Sequence, residues 1–492
     1  MIYLATKPKD FFHDADEMLR MVLGDIKVMA AKGAQDAGGA LFFDVSVLRQ
    51  GESVLAVAEL YQDGRKLDSE QAGGPVRART RMAYMKYARR LMKIALFHLL
   101  RRRYPHIGVP WGSLTGIRPT KLVYEMMGEG MDRAAVRRTL TDIYDVREDK
   151  AQLLLDIVDN QAPVRSGGFD PAIDVYIGIP FCRTRCVYCS FFSSDIGKDR
   201  AYVTAYLDAL EKETASMAHQ MRAAGRSVRS LYIGGGTPTA LDEAGLERVL
   251  VMAQDFLPDS GEFTLEAGRP DTITREKLRL AGRYGVTRLT VNPQTMHEKT
   301  LQVIGRKHTA REVVEAFHMA REEGFGWINM DLIAGLPGED FDMFAHSLEQ
   351  VTALEPENIT VHTLAVKRSS KLHENPEKYA RAEAAEAERM VSHAQRILPA
   401  YGWKPYYLYR QKYMSGNLEN VGYAKGGAVS RYNIDVMEET HCNLAMGAGG
   451  ITKWYYPEKN RLERTPNVKD VRHYIARIDE MIRRKKGLIV PL

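Results

Sequence analysis

Cysteine is scarce in this chain, with four residues in 492. So few thiols exclude a disulfide-stapled scaffold and point to a reducing compartment, expected to be the cytoplasm. No run of 18 apolar residues occurs, so no transmembrane helix is expected. The opening Met1-Ile-Tyr-Leu-Ala, followed by Lys7-Pro-Lys-Asp, does not have the form of a signal peptide. Excess charge of one sign is small too: 69 basic against 63 acidic residues leave +6. The clusters Arg101–Arg103 and Arg483–Lys486 read either as solvated helix faces or as patches for an anionic ligand, and no nucleic-acid partner is expected. Repeats and low-complexity tracts are lacking. With 45% hydrophobic residues the chain can bury a large core, in two or three domains.

What is present is a concentration of that scarce residue. Cys182, Cys186 and Cys189 form Cys-x3-Cys-x2-Cys directly after Asp174-Val-Tyr-Ile-Gly-Ile179, an apolar β-branched run that reads as a buried strand. The thiols therefore sit on a loop at the C-terminal end of a strand, where α/β proteins place their chemistry. A closed zinc site needs four ligands, and no second Cys/His pair lies near enough in sequence to complete one. Clustered thiolates suit soft metals and iron–sulfur clusters, and three of them leave one iron of a cubane open to a cofactor. A zinc knuckle and three independently buried cysteines are the other readings.

The chain falls into three expected domains: residues 1–165, 172–399 and 400–492. The first reads as an α+β module. Its strands Leu41–Leu48 and Ser53–Tyr61 are joined at Gln50-Gly-Glu, and its helices run over Asp14–Ala31 and Arg79–Arg102. The stretch from Pro110 to Leu122 offers Thr115, Arg118 and Lys121 for an anion at a helix start, or is a capping loop. Ser166–Pro171 is the expected linker. From Ala172 onward strand and helix alternate. Strands are expected at Asp174–Ile179, Ser230–Gly234, Glu262–Ala267, Thr287–Asn292, Trp327–Leu332 and Asn358–Thr363. Helices between them are expected at Asp199–Ala224, Glu243–Phe256, Arg275–Tyr284, Ala310–Glu323 and Phe341–Leu354. Six such units imply an α/β fold with a parallel sheet, short of the eight strands that close a barrel. Residues 400–492, aromatic at first and glycine-rich later, read as an α+β substrate-side cap ending in a helix over Val468–Arg484.

The cysteine loop resembles that of the radical S-adenosylmethionine (SAM) enzymes. With Tyr176, Ile179, Pro180 and Phe181 ahead of Cys182, it is similar to the oxygen-independent coproporphyrinogen III oxidase (coproporphyrinogen dehydrogenase) family. The N-terminal extension, with Pro110–Leu122 and Tyr407–Lys412, looks like a longer, Gram-positive-type subgroup. The resemblance implies a partial (βα)6 radical-SAM barrel, a [4Fe–4S] cluster on Cys182, Cys186 and Cys189, and S-adenosyl-L-methionine as second cofactor. It also implies a tetrapyrrole substrate of haem biosynthesis and an electron donor of flavodoxin or ferredoxin type. The implied reaction passes through a 5′-deoxyadenosyl radical. Two propionates of coproporphyrinogen III become vinyl groups, giving protoporphyrinogen IX. A haem chaperone of the same family, or a radical SAM enzyme on another substrate, is the alternative.

SAM carries an ammonium, a carboxylate, a ribose diol and an adenine, and the resemblance carries matching positions onto this chain. They are Tyr176, the turn Gly235-Gly236-Thr237, Glu266, Gln294, Arg306 and Asp331. Tyr188 would lie against adenine, and Ile333 and Ala365 would contact it or simply pack at strand ends. Arg410, Lys412, Arg431 and Lys453 are the expected partners of the substrate carboxylates. The best-understood decarboxylases carry a fourth cysteine two residues after the third; here that residue is Phe191. The haem chaperones carry His-Asn-x-x-Tyr-Trp where this chain has Tyr409-Arg-Gln-Lys-Tyr413. His362 reads either as an axial haem ligand or as a polar strand-end residue.

Overall fold

The computed structural model describes residues 1–24, 26–76, 80–165, 171–191, 193–367, 369–375, 377–379, 382–411, 414–457 and 461–489. The chain divides into two compact units, Met1–Leu155 and Asp156–Leu492. The division falls inside the helix Glu148–Arg165. Of the expected linker Ser166–Pro171, residues 166–170 lie outside the described residues.

In the first unit, strands β1 (Ile2–Lys7), β2 (Val28–Ala30), β3 (Phe42–Gln50), β4 (Ser53–Gln62) and β5 (Arg65–Pro75) form one sheet in the order β2-β1-β3-β4-β5. The expected hairpin is β3–β4, with Gln50 opposite Ser53. Leu19 and Val22 of helix Phe12–Leu23, and Met92, Leu96 and Leu100 of helix Arg81–Arg103, share one core with Phe43, Val45, Ala56 and Leu60. The helix expected over Asp14–Ala31 stops at Leu23, because Gly24 at φ 82 leaves the helical region and β2 takes up 28–30. Thr115 accepts a hydrogen bond from Lys93 Nζ (2.7 Å), and Lys121 lies in the first turn of the helix Thr120–Gly128.

The second unit is organised by β6 (Ile173–Ile179), β9 (Val228–Gly235), β10 (Phe263–Gly268), β11 (Arg288–Val291), β12 (Trp327–Ala334) and β13 (Asn358–Thr363). The two-residue strands β7 (Phe181–Cys182) and β8 (Ser194–Asp195) pair with each other in the cysteine loop. The six long strands are all parallel and lie in chain order, as crossover helices require. Their helices cover Arg200–Ala223, Glu243–Ala253, Arg275–Arg283, Ala310–Glu322 and Phe341–Ala353. Residues 400–492 lengthen the sheet at both edges. Beyond β13 lie β15 (Asn420–Ala424) and β14 (Lys404–Tyr409), antiparallel. Beyond β6 lie β16 (Asn443–Met446), parallel, then β17 (Ile451–Tyr456) and β18 (Arg461–Pro466). The helix expected over Val468–Arg484 is two helices, Val471–Ala476 and Ile478–Lys485, parted at Arg477 with φ −118 and ψ 23. Among the described residues no helix is long and apolar enough to cross a membrane.

Strand alternation decides what this sheet encloses. One face carries Leu231, Ile233, Leu265, Leu289, Val291, Ile328, Met330, Leu332, Ile359 and Val361, all buried. The helices supply Leu246, Leu250, Val313, Phe317, Leu348 and Val351, buried likewise. The intervening residues Tyr232, Thr264, Glu266, Thr290, Asn292, Asn329, Asp331, Thr360 and His362 line a cavity of about 550 Å³. Closed barrels of this class fill that space with Val, Ile and Leu. Here it is polar and open, and large enough for a cofactor-sized ligand.

Candidate active site at the mouth of a polar barrel

The cysteine loop is held by main-chain bonds from several sides. Gly236 N–H donates to Ile179 O (2.8 Å) and Thr237 N–H to Phe181 O (2.7 Å), so the turn after β9 clamps the start of the loop. Its far limb is tied by Val187 N–H to Ile304 O (3.0 Å) and by Leu372 N–H to Val187 O (3.1 Å). Thr184 Oγ1 donates to Gly305 O (2.9 Å) and accepts from Arg269 Nη1 (2.7 Å). Thr237 Oγ1 donates to Cys182 Sγ (3.6 Å). Burial raises the Cys182 thiol and pushes Cys189 up to about 11, so metal loading must displace protons there. Among the described residues no three His, Cys, Asp or Glu side chains are gathered as a single-ion cage. Three thiols spaced around one cavity suit a multi-iron cluster instead.

The same cavity gathers Tyr176, Tyr188, Gly235, Gly236, Thr237, Glu266, Gln294, Arg306, Asp331, Ile333 and Ala365 with the three cysteines. Gly235 takes φ +110, and a Cβ there would lie 2.9 Å from Tyr176 Oη, so no other residue fits the turn without strain. Its N–H donates to Glu266 Oε2 (3.2 Å). Burial, then the charge of Asp331, pushes the Glu266 carboxyl up to about 7. Burial would raise Asp331 as well, but His362, Asn329 and Thr360 outweigh it and hold that carboxyl below the ordinary range. Asn329 Nδ2 donates to Asp331 Oδ1 (2.7 Å), and His362 Nε2 lies 3.7 Å from Asp331 Oδ2. The two acids of one cavity are thus pushed apart, one ready to ionise when a cation arrives and one kept ionised.

Gln294 is held at φ 69, an uncommon conformation for a residue with a side chain. Two bonds to β12 fix it, Gln294 N–H to Asp331 O (2.9 Å) and Ile333 N–H to Gln294 O (3.0 Å). Arg306 is buried, and its Nη1 donates to Asn292 O (2.5 Å). Ile333 packs with Val187, Leu301 and Leu364, with Tyr188 against that group. Ala365 bridges to Met414.

Arg410, Arg431 and Lys453 do not reach the cavity wall. Arg410 Nη2 donates to Asn417 O (3.0 Å), and Lys453 Nζ pairs with Glu439 (3.4 Å) on the flank of the sheet. Lys412 lies outside the described residues. Among the described residues the lysines and arginines that line the cavity are Arg269, Arg288, Arg306 and Lys367. Residue patterning also missed a tyrosine stack: Tyr176 and Tyr232 are 6.2 Å apart, Tyr232 and Tyr432 4.6 Å, with planes within about 20°. Alternation along β9 signals Tyr232; nothing local signals Tyr432. Phe191 lines the mouth and is 68% exposed.

Residues 176–351 match the family model of the Radical SAM superfamily. The chain is 39% identical over 381 residues to the oxygen-independent coproporphyrinogen-III oxidase-like protein HemZ of Bacillus subtilis (strain 168), covering 76% of each chain. The chain belongs to the radical SAM superfamily and, within it, to the oxygen-independent coproporphyrinogen III oxidase family. The heme chaperone HemW of B. subtilis (strain 168) is 33% identical over 319 residues, covering 62% of this chain and 76% of that protein. The solved coproporphyrinogen III oxidase HemN of Escherichia coli shares the fold, with a TM-score of 0.51 at 22% identity over 65% of this chain and 73% of that one.

As a radical SAM protein the chain has a [4Fe–4S] cluster and SAM as cofactors. The cavity fits them. Arg306 Nε and Asn292 Oδ1 are buried polar atoms of its wall with no partner of their own, a costly arrangement unless a polar ligand meets them. Radical SAM chemistry also needs soft thiolate donors, and the loop carries three, with no fourth protein thiol among the residues lining the cavity.

Proposed function

We propose that this protein is an oxygen-independent coproporphyrinogen III dehydrogenase. It would oxidatively decarboxylate two propionates of coproporphyrinogen III to vinyl groups, giving protoporphyrinogen IX. The supporting observation is the single cavity that brings the three cysteines together with Glu266, Gln294, Arg306 and Asp331. When bound, cluster and SAM supply a strongly hydrogen-abstracting radical; the protein supplies orientation and exclusion of water. Cys182, Cys186 and Cys189 would hold the cluster. Glu266 receives the ammonium of SAM, Arg306 its carboxylate and Asp331 its ribose hydroxyls, while Tyr188, Ile333 and Ala365 flank the adenine. Tyr176 and the Gly235–Thr237 turn close the methionine end. Catalysis is placed in the cytoplasm, with an electron donor of flavodoxin or ferredoxin type.

A haem-carrier role is the second reading, and His362 bears on it. Its Nε2 faces Asp331 (3.7 Å) and its Nδ1 meets Tyr409 Oη (3.4 Å), so both ring nitrogens are engaged inside the cavity. A haem ligand would use one ring nitrogen while the other kept its partner, so turnover and not this geometry separates the two readings. The deciding experiment is an anaerobic assay of the reconstituted protein with SAM, reductant and coproporphyrinogen III. Carbon dioxide and a vinyl product support the reading. SAM cleavage without either product moves the protein to another substrate, and tight stoichiometric haem binding without turnover makes it a carrier.

A further inference from the structure

Below the level of Glu266 and Asp331 the barrel interior continues to a floor that the proposed reaction does not use. Arg288 and Thr264 are register partners on β11 and β10, with both side chains on the cavity wall. Arg288 is 4% exposed and Thr264 5%. The guanidinium spends Nη1 on Asn358 Oδ1 (2.8 Å) and Nη2 on the carbonyls of Ala428 (2.6 Å) and Val429 (2.7 Å), with its plane over the Trp327 ring at 4.4 Å. Among the described residues its Nε–H has no acceptor, and Thr264 Oγ1 on the neighbouring strand has no partner either. Among the described residues none of the groups bonded to Arg288 is a carboxylate. Glu262, two residues before Thr264, spends both oxygens capping the helix Arg431–Glu438, through Ser430 Oγ, Arg431 N–H and Tyr432 N–H. A buried guanidinium bonded only to neutral groups, one strand away from a buried hydroxyl with no bond, is costly for a protein to leave unmatched.

We propose that this floor is a binding site for a small planar anion of the carboxylate class, received by Arg288 Nε–H and Thr264 Oγ–H. Neighbouring parallel strands lie about 4.8 Å apart, which brings two such donors within reach of the two oxygens of one anion. The anion has two possible sources with the same chemistry: a small organic carboxylate, or bicarbonate. The site does not depend on which tetrapyrrole, if any, the mouth of the barrel accepts.

The test is calorimetric titration of the anaerobically purified full-length protein with acetate and, separately, with bicarbonate, against chloride at constant ionic strength. One saturable site is expected in the millimolar range or tighter. Thr264→Val has no protein hydrogen bond to lose, and it should weaken that site about tenfold or more. Arg288→Met should abolish it. Because Arg288 also tethers residues 428 and 429, its result counts only alongside an unchanged thermal melt, and Thr264→Val carries the test otherwise. Tighter binding of acetate identifies an organic carboxylate as the ligand, and tighter binding of bicarbonate identifies a carbonate. Absence of saturation with both anions, or wild-type affinity in Thr264→Val, overturns the proposal. A protein that binds the anion yet fails to cleave SAM would leave this site standing and remove the catalytic reading instead.

Discussion

Replacing Glu266 with glutamine should move SAM affinity and protein stability in opposite directions. Burial and the neighbouring Asp331 push this carboxyl up to about 7 in the cofactor-free protein. An acid whose folded value lies above its unfolded one contributes stability that is fully present at low pH and lost as pH rises through 7. At about 1.4 kcal/mol per pKa unit, the burden on the SAM-free protein at pH 8 is at most about 3–4 kcal/mol. Glu266→Gln removes it, so the SAM-free variant should melt higher than wild type at pH 8, with the difference shrinking to nothing below about pH 4. SAM binding runs the other way. An ammonium needs the ionised carboxylate, and affinity scales with the ionised fraction, so wild-type affinity should rise about tenfold between pH 6 and pH 8. Glu266→Gln should flatten that profile and cost roughly 1.5–3 kcal/mol of binding at pH 8. Equilibrium dialysis of SAM at three pH values, paired with thermal melts, measures both. A wild-type affinity flat from pH 6 to 8, or a glutamine variant that binds SAM normally, refutes the assignment of Glu266 to the ammonium.

Serine at Cys186 should abolish the brown cluster chromophore and SAM cleavage. Serine at Cys442, whose Sγ accepts from Tyr455 N–H (3.4 Å) and donates to Tyr455 O (3.6 Å), should leave both intact, as absorbance of the anaerobic protein will show. Gly235→Ala forces a side chain at φ +110 against Tyr176 Oη and should cost about 1–3 kcal/mol in a denaturant melt, with SAM affinity falling as the turn shifts. Lys485 and Glu213 form a fully buried pair (2.5 Å), and Glu213 also receives Tyr474 Oη (2.5 Å), Gly447 N–H (2.8 Å) and Asn467 Nδ2 (2.9 Å). Lys485→Met strands that carboxylate and should destabilise the second unit by about 3–5 kcal/mol, with partial recovery when Glu213→Gln is added; equal melts of the single and double variants would contradict this.

The six parallel strands are legible because each is short, carries apolar residues at alternate positions and is followed by a helix-length segment, and all lie within two residues of where the pattern puts them. The cysteine spacing and the strand-end positions of Glu266 and Asp331 are legible for a similar reason: in a parallel sheet, ends of consecutive strands converge whatever lies between them. The substrate-side cations are different. Arg410 and Lys453 stand in an aromatic and basic region that invites a binding role, yet register alone decides which face of β17 Lys453 takes, and it takes the flank. Tyr432 reaches Tyr232 across 200 residues, because the helix Arg431–Glu438 is anchored by Glu262 at the start of β10. No periodicity within either segment encodes that meeting. The polar interior, by contrast, is written in Thr264-Leu-Glu266, Leu289-Thr-Val-Asn292 and Asn329-Met-Asp331, where apolar residues alternate with polar ones. Parallel strands in a filled barrel are apolar on both faces. Alternation in these three strands is therefore the sequence signature of a hollow, ligand-holding barrel, and it extends down to Arg288.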